Sequence, residues 1–166
     1  MRPSATGFLG VISDTHGQMR AEALEALRGA ELIVHAGDIG GPDVLRALER
    51  IAPLVAVPGN NDQEPWARDM PELTDFEYAG LRCWLIHDLA RLRALDRDPA
   101  QAGVDLVVAG HSHRQLWEQR EGVRYLNPGS AGPRRFTLPI SVARLERASD
   151  SAPPAVEFID VGPAKD

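Results

Sequence analysis

The sequence predicts an α/β (α+β) fold, a mixed β-sandwich flanked by helices. Three observations predict it. Short apolar strands alternate with helical stretches through the first part of the chain. Beyond residue 62 the pattern becomes a series of β-hairpins. Five of the apolar strands stop abruptly in residues capable of binding a metal.

The elements follow in order. "FLGVIS" (Phe8 to Ser13) reads as a buried strand. "MRAEALEALRG" has apolar residues at helical spacing, with Gly29 as its stop. "ELIVHAG" is the second strand, and "PDVLRALERI" the second helix, with Pro42 in its first turn and Leu45 and Leu48 on one face. "APLVAVPG" is a third strand, ended by Pro58 and Gly59. This βαβαβ rhythm implies parallel strands. "DFEYAGLRCWLIH" then reads as a hairpin around Ala79-Gly80, "DPAQAG" as a short helix and "VDLVVAG" as a strand. "RQLWEQREGVRYLNPGS" turns at Glu121-Gly122. "PISVARLER" and "AVEFIDVG" form a last antiparallel pair around the polar tip "ASDSAPP".

Composition bounds the function. The 166 residues are expected to form one domain, residues 1–166, with 43% apolar and 25% charged residues. No apolar run nears the roughly 20 residues of a membrane span, and no signal peptide is visible, so a cytoplasmic protein is expected. The single cysteine, Cys83, excludes a disulfide framework within the chain and a thiolate-rich zinc site. A net charge of −6 argues against a duplex nucleic-acid surface but not against a small anionic substrate, because a local metal charge can outweigh the global balance.

The strand endings carry the chemistry. "LGVIS" ends in Asp14-Thr15-His16, "LIVHA" in Gly37-Asp38 and "LVAVP" in Gly59-Asn60-Asn61-Asp62. "CWLI" ends in His87-Asp88 and "LVVA" in Gly110-His111-Ser112-His113. If these strands are neighbours, the endings converge on one edge of the sheet, where ligands bind in open α/β sheets. Two aspartates, one asparagine and four histidines are too many ligands for one tetrahedral zinc, but they suit two metals sharing a carboxylate. Nitrogen and oxygen ligands without sulfur favour Mn, Fe, Zn or Ni. Two divalent ions, two carboxylates and a bridging hydroxide sum to about +1, which attracts a phosphate group.

The ordered set D-x-H, GD, GN, H and GHxH resembles the calcineurin-like metallophosphoesterase superfamily, in particular its small bacterial and archaeal phosphodiesterase branch. The resemblance runs from Gly10 to Ile159, and "NPGSAGPR" (Asn127 to Arg134) resembles the segment that follows GHxH in that branch. It implies two mixed sheets packed as a sandwich with helices on the outer faces. It also implies two divalent ions, manganese foremost, with Ni, Zn, Fe or Mg as alternatives. By the same resemblance Asp14, His16 and His113 bind one ion, Asn60, His87 and His111 bind the other, and Asp38 bridges. Asp38, Asn60 and His111 count as catalytic as well. A metal-bound hydroxide would then attack phosphorus in a small phosphoester, most simply a diester. A phosphomonoesterase or nucleotidase would use the same centre. A non-catalytic scaffold, as in the retromer subunit of this family, would be marked by lost ligands, and none is missing here.

Two departures from the pattern are informative. Many members have histidine where this chain has Asn61, followed by Asp62. That histidine helps stabilise the transition state or protonate the leaving group, so modest rates on unactivated esters are expected. Asp88 stands where the branch usually has glycine after the histidine, and it reads as a helix N-cap. Asn61, Asp62, Ser130 and Arg134 are candidate substrate contacts. His35 lies within its strand and is read as a buried, hydrogen-bonded residue, not a ligand. Nothing in the sequence identifies a homo-oligomer interface.

Overall fold

Three short parallel strands open the chain in a computed structural model that describes residues 7–163. They are β1 (Leu9–Ile12), β2 (Leu32–His35) and β3 (Leu54–Ala56), linked by helices α1 (Ala21–Leu27) and α2 (Pro42–Glu49). A single 3-10 turn, Pro65–Ala67, leads to the hairpin β4 (Leu73–Tyr78) and β5 (Leu81–Ile86). Helices α3 (Arg91–Ala94) and α4 (Pro99–Ala102) precede β6 (Leu106–Val108). Two further hairpins pair β7 (Gln115–Arg120) with β8 (Val123–Pro128) and β9 (Ser141–Glu146) with β10 (Ala155–Asp160). Nothing in the sequence marks the 3-10 turn, and only Asp88, read as a helix N-cap, marks α3. At three and four residues they are too short to show helical periodicity.

The strands form two mixed sheets of five. One has the order β10-β9-β1-β2-β3 and the other β4-β5-β6-β8-β7. In the first sheet β1, β2 and β3 are parallel out to one edge, with antiparallel β9 and β10 on the other side; in the second β5, β6 and β8 are parallel at the centre, flanked by antiparallel β4 and β7. The strands that carry the five polar endings are therefore not all neighbours in one sheet. Three belong to one sheet and two to the other. They still meet, because the sheets pack face to face.

Strand alternation divides the apolar residues between layers. Leu9, Val11 and Val34 of the first sheet meet Cys83, Leu85, Leu106 and Val108 of the second to fill the space between them. Ile12 and Ile33 point the other way, into a layer closed by Leu27 of α1 and Val44 and Leu48 of α2. Trp84, Ile86 and Val107 pack outward under Leu92 of α3. With both faces covered, β1 is buried along its whole length, which explains its unbroken apolar run.

Candidate metal centre

Register brings the site residues to a common level. Ile12, His35 and Ala56 are partners across β1, β2 and β3, so the segments after them leave the sheet together. The first two stay zipped beyond the strands, with Asp14 N donating to Gly37 O at 2.9 Å and His16 N to Asp38 O at 2.9 Å. In the other sheet Leu85 pairs with Val108, and Gly110 N donates to His87 O at 2.9 Å. The two sheets are then tied to each other. His87 Nδ1 lies 2.7 Å from Ala36 O, and His111 N donates to Asp14 Oδ2 at 3.1 Å.

The backbone here is under strain. Asp14, His16, Asp38, His111 and His113 all have φ between 47° and 73°, the left-handed region that residues other than glycine seldom enter. Such strain persists where the surroundings enforce it, and it clusters at functional sites. Gly37 and Gly110 are two of the glycines here at which a Cβ would clash. Gly37 has φ +102°, and a Cβ there would lie 2.6 Å from His87 Nδ1. At Gly110 a Cβ would lie 2.0 Å from Ser13 Oγ and 2.7 Å from Asp14 Oδ2.

All seven sequence-predicted metal residues come together. Asp14 Oδ1 lies 3.3 Å from His113 Nε2 and 4.0 Å from His87 Nε2. Asp38 Oδ2 lies between His16 Nε2 at 3.7 Å and His87 Nε2 at 3.5 Å. His87 Nε2 also faces Asn60 Oδ1 at 3.1 Å and His111 Nδ1 at 3.3 Å. Two compact groups of potential ligand atoms result, each within 4.8 Å: Asp14 with His16 and His113, and Asp14 with Asp38 and His87. Asp14 belongs to both, and Asp38 reaches from one to the other.

Protonation and hydrogen bonding test whether cations fit. His87 gives its Nδ1–H to the Ala36 carbonyl, which leaves Nε2 as the inward-facing lone pair. That nitrogen meets the oxygen of Asn60 and the carboxylate of Asp38, both electron-rich, and a ring nitrogen of His111. Asp14 Oδ1 and His16 Nε2 are buried and have no hydrogen-bond partner. Buried polar atoms left unpaired are costly, and a shared cation would satisfy them. The field has the right sign. Burial would raise the Asp14 pKa, but the nearby His113 ring, the Ser13 hydroxyl and the His87 ring together hold it below the usual carboxylate range. Burial acts likewise on Asp38, where His87, the Asn61 N–H and His16 outweigh it and hold the carboxyl at about 2. Burial opposes charge on His87 too, yet Asp38, Asp14 and the Ala36 carbonyl raise its pKa. Both carboxylates stay ionised and positive charge is favoured between them. The donor set fits divalent ions of borderline softness.

The other candidates take different places. Asn61 clamps Asp38, its backbone N–H donating to Oδ1 at 2.9 Å and its Nδ2 to Oδ2 at 3.2 Å. Asp62 is buried, and its carboxylate accepts from the N–H groups of Ile39 (2.8 Å), Gly40 (3.0 Å) and Gly59 (2.9 Å). It staples the loop after β3 to the loop after β2 and does not face outward to a substrate. Ser130 is also buried, donating to Asp14 O at 3.1 Å and accepting from Gly132 N at 3.2 Å. Arg134 donates to the carbonyls of Leu138 (3.3 Å) and Pro163 (3.1 Å), so it braces its own loop. Asp88 bonds Ala90 N at 3.0 Å in the turn ahead of α3, whose N-cap is Ala90. Its other oxygen lies 3.8 Å from His111 Nε2.

His35 is buried as expected, and its partners show why. Its Nδ1 accepts from Gly37 N at 3.1 Å, so its Nε2–H faces Thr15 Oγ1 at 3.0 Å, and Thr15 donates to Ile39 O at 2.7 Å. Burial pushes its pKa down to about 4, so the ring is neutral. It locks the two loops that present Asp14, His16 and Asp38. Sequence reasoning missed Asn127. This residue is buried at the end of β8 and donates to Gly110 O at 2.9 Å and Ser112 Oγ at 3.1 Å, holding the loop that carries both histidines. A polar residue closing an apolar strand was its only signal.

Comparison with known proteins agrees with this geometry. Residues 8–150 match the calcineurin-like phosphoesterase superfamily domain. A probable metallophosphoesterase of Methanothermobacter thermautotrophicus is 37% identical over 152 residues, covering 84% of this chain and 86% of its own. A phosphodiesterase of Methanocaldococcus jannaschii is 28% identical over 137 residues, covering 73% and 82%. Among solved structures, the zinc complex of Vps29 from Entamoeba histolytica aligns with a TM-score of 0.67 at 21% identity, over 93% of this chain and 99% of the other. At that identity the likeness is one of fold.

Proposed function

Because the chain belongs to the calcineurin-like phosphoesterase superfamily, we propose that it is a metal-dependent phosphodiesterase with a dinuclear centre at the ends of β1, β2, β3, β5 and β6. One observation carries the reading. Asp14 Oδ1 and His16 Nε2 are buried without hydrogen-bond partners, in a cluster whose remaining atoms are metal-capable donors. Asp14, His16 and His113 would hold one ion, Asn60, His87 and His111 the other, with Asp38 between them. Manganese is the first ion to test. When bound, such ions supply Lewis acidity toward phosphoryl oxygens and make water nucleophilic near neutral pH.

The residues of the chain preorganise this arrangement. Ser13 and the backbone N–H of His111 hold Asp14 Oδ2, which leaves Oδ1 facing inward. Asn61 fixes both oxygens of Asp38. The Ala36 carbonyl sets the tautomer of His87. Asn61 cannot donate a proton as an acid would, so position 61 gives the departing oxygen no help. Diesters with good leaving groups are therefore the favoured substrates.

Bound metal alone would not establish hydrolysis. The test must read turnover. Chelator-stripped protein, refilled with Mn, Ni, Zn or Mg, is assayed on bis(p-nitrophenyl) phosphate and p-nitrophenyl phosphate. We expect faster turnover of the diester, with His111→Ala and His113→Ala each lowering bound metal and rate. A faster monoester reaction would make the protein a phosphomonoesterase. Metal binding without turnover of either ester would leave a scaffold.

A further inference from the structure

We infer that Phe136, Arg114 and Arg135 form a recognition face beside the metal centre for phosphoesters that carry a planar aromatic group, such as a nucleobase. This rests on the phosphodiesterase reading and names the class of substrate the same site would take. Phe136 is 90% exposed, the one large apolar side chain so displayed among the described residues. Its backbone has φ +54°, a conformation that a bulky side chain rarely adopts. An apolar ring so exposed buries almost no surface within the folded chain.

Its position supplies one. Phe136, Arg114, Arg135 and Leu138 line a cavity of about 130 Å³ together with His111 and His113. The cavity thus opens directly off two of the proposed ligands. Neither the Arg114 nor the Arg135 guanidinium has a hydrogen-bond or ion-pair partner among the described residues, although Arg114 N donates to Ser112 Oγ at 3.2 Å, whereas the Arg134 guanidinium is tied to two carbonyls. In a chain of net charge −6, two unpaired guanidinium groups at this mouth favour an anion. The loop is held in place. Arg134 braces it, Leu138 N donates to Arg135 O at 3.1 Å, and Gly132 packs where a Cβ would lie 2.4 Å from Asp14 O. A ring stacked on Phe136, with arginines on the phosphate oxygens, uses each of these features.

Binding tests this separately from turnover. Thymidine 5′-phosphate and methyl phosphate share a phosphate monoester; the nucleotide adds a deoxyribose and an aromatic base, and the Phe136 variants isolate the contribution of the base. Their Kd values are measured by calorimetry on the full, manganese-loaded chain and on Phe136→Ala, Phe136→Trp and Arg114→Ala/Arg135→Ala. We expect the nucleotide to bind wild type about tenfold tighter than methyl phosphate. Phe136→Ala should remove that advantage, Phe136→Trp should keep it, and the arginine pair should weaken both ligands. Equal affinity of the two ligands for wild type, no binding of the nucleotide, or an undiminished advantage in Phe136→Ala would overturn the inference. A preserved preference in a protein that turns over no diester would defeat the phosphodiesterase reading and leave the recognition face standing.

Discussion

Asp62 offers a decision between a substrate-binding role and a structural one. The sequence marks it as a candidate substrate contact. The structure gives its carboxylate three backbone N–H groups from two loops, those of Ile39, Gly40 and Gly59. A hydrogen bond to a charged group contributes about 1.5–3 kcal/mol. The Ile39 bond is buried and is given about 2 kcal/mol. The other two are part-buried, water can replace them, and about 1 kcal/mol each is reasonable. Asp62→Ala should therefore destabilise the chain by about 4 kcal/mol. With a urea m-value of about 2 kcal/mol/M, the midpoint falls by about 2 M at unchanged slope. The measurement is made in excess chelator, so that linkage to bound metal does not contribute. Asp62→Asn keeps one acceptor oxygen for Ile39 and Gly59 but turns an amide donor toward Gly40 N, and should lose about 1–2 kcal/mol. A midpoint shift below about 0.5 M for Asp62→Ala, accompanied by a raised KM for an activated diester, would refute this account and restore the substrate contact.

Two further expectations rest on single contacts. Gly110→Ala puts a methyl group against Ser13 Oγ and Asp14 Oδ2, which should cost roughly 1–3 kcal/mol and reduce manganese retained after gel filtration; unchanged stability and metal content would show that this edge is looser than described. Cys83 lies fully buried between the sheets, and burial, aided by the charge of Asp105, pushes its thiol up to about 12. It should ignore a thiol reagent in the native chain at pH 8 and react fully in urea, and rapid native labelling would contradict the packing of the two sheets.

Periodicity and local chemistry are legible in the order of residues alone. Apolar runs, helix stops and glycine turns located the strands and the main helices, because those signals act within a few residues of one another. The seven donors were legible for the same reason, each sitting just past the end of a strand. Partnership emerges only once the chain is packed. Asp62, Ser130 and Arg134 are polar residues in turns, a pattern equally suited to binding a substrate or a backbone. They differ only in what lies across space: three N–H groups for Asp62, the Asp14 carbonyl for Ser130, two carbonyls for Arg134. The assignment of β1, β2 and β3 to one sheet and β5 and β6 to the other was likewise hidden, since a buried strand reads the same in either sheet. Phe136 shows the reverse case. Within the sequence it is one more apolar residue beside two arginines, and only the placement of its loop against His111 and His113 sets it at the mouth of the centre. Hydrogen bonding and burial are contacts between distant segments, and a single chain's pattern encodes which residues need partners without stating which ones they find.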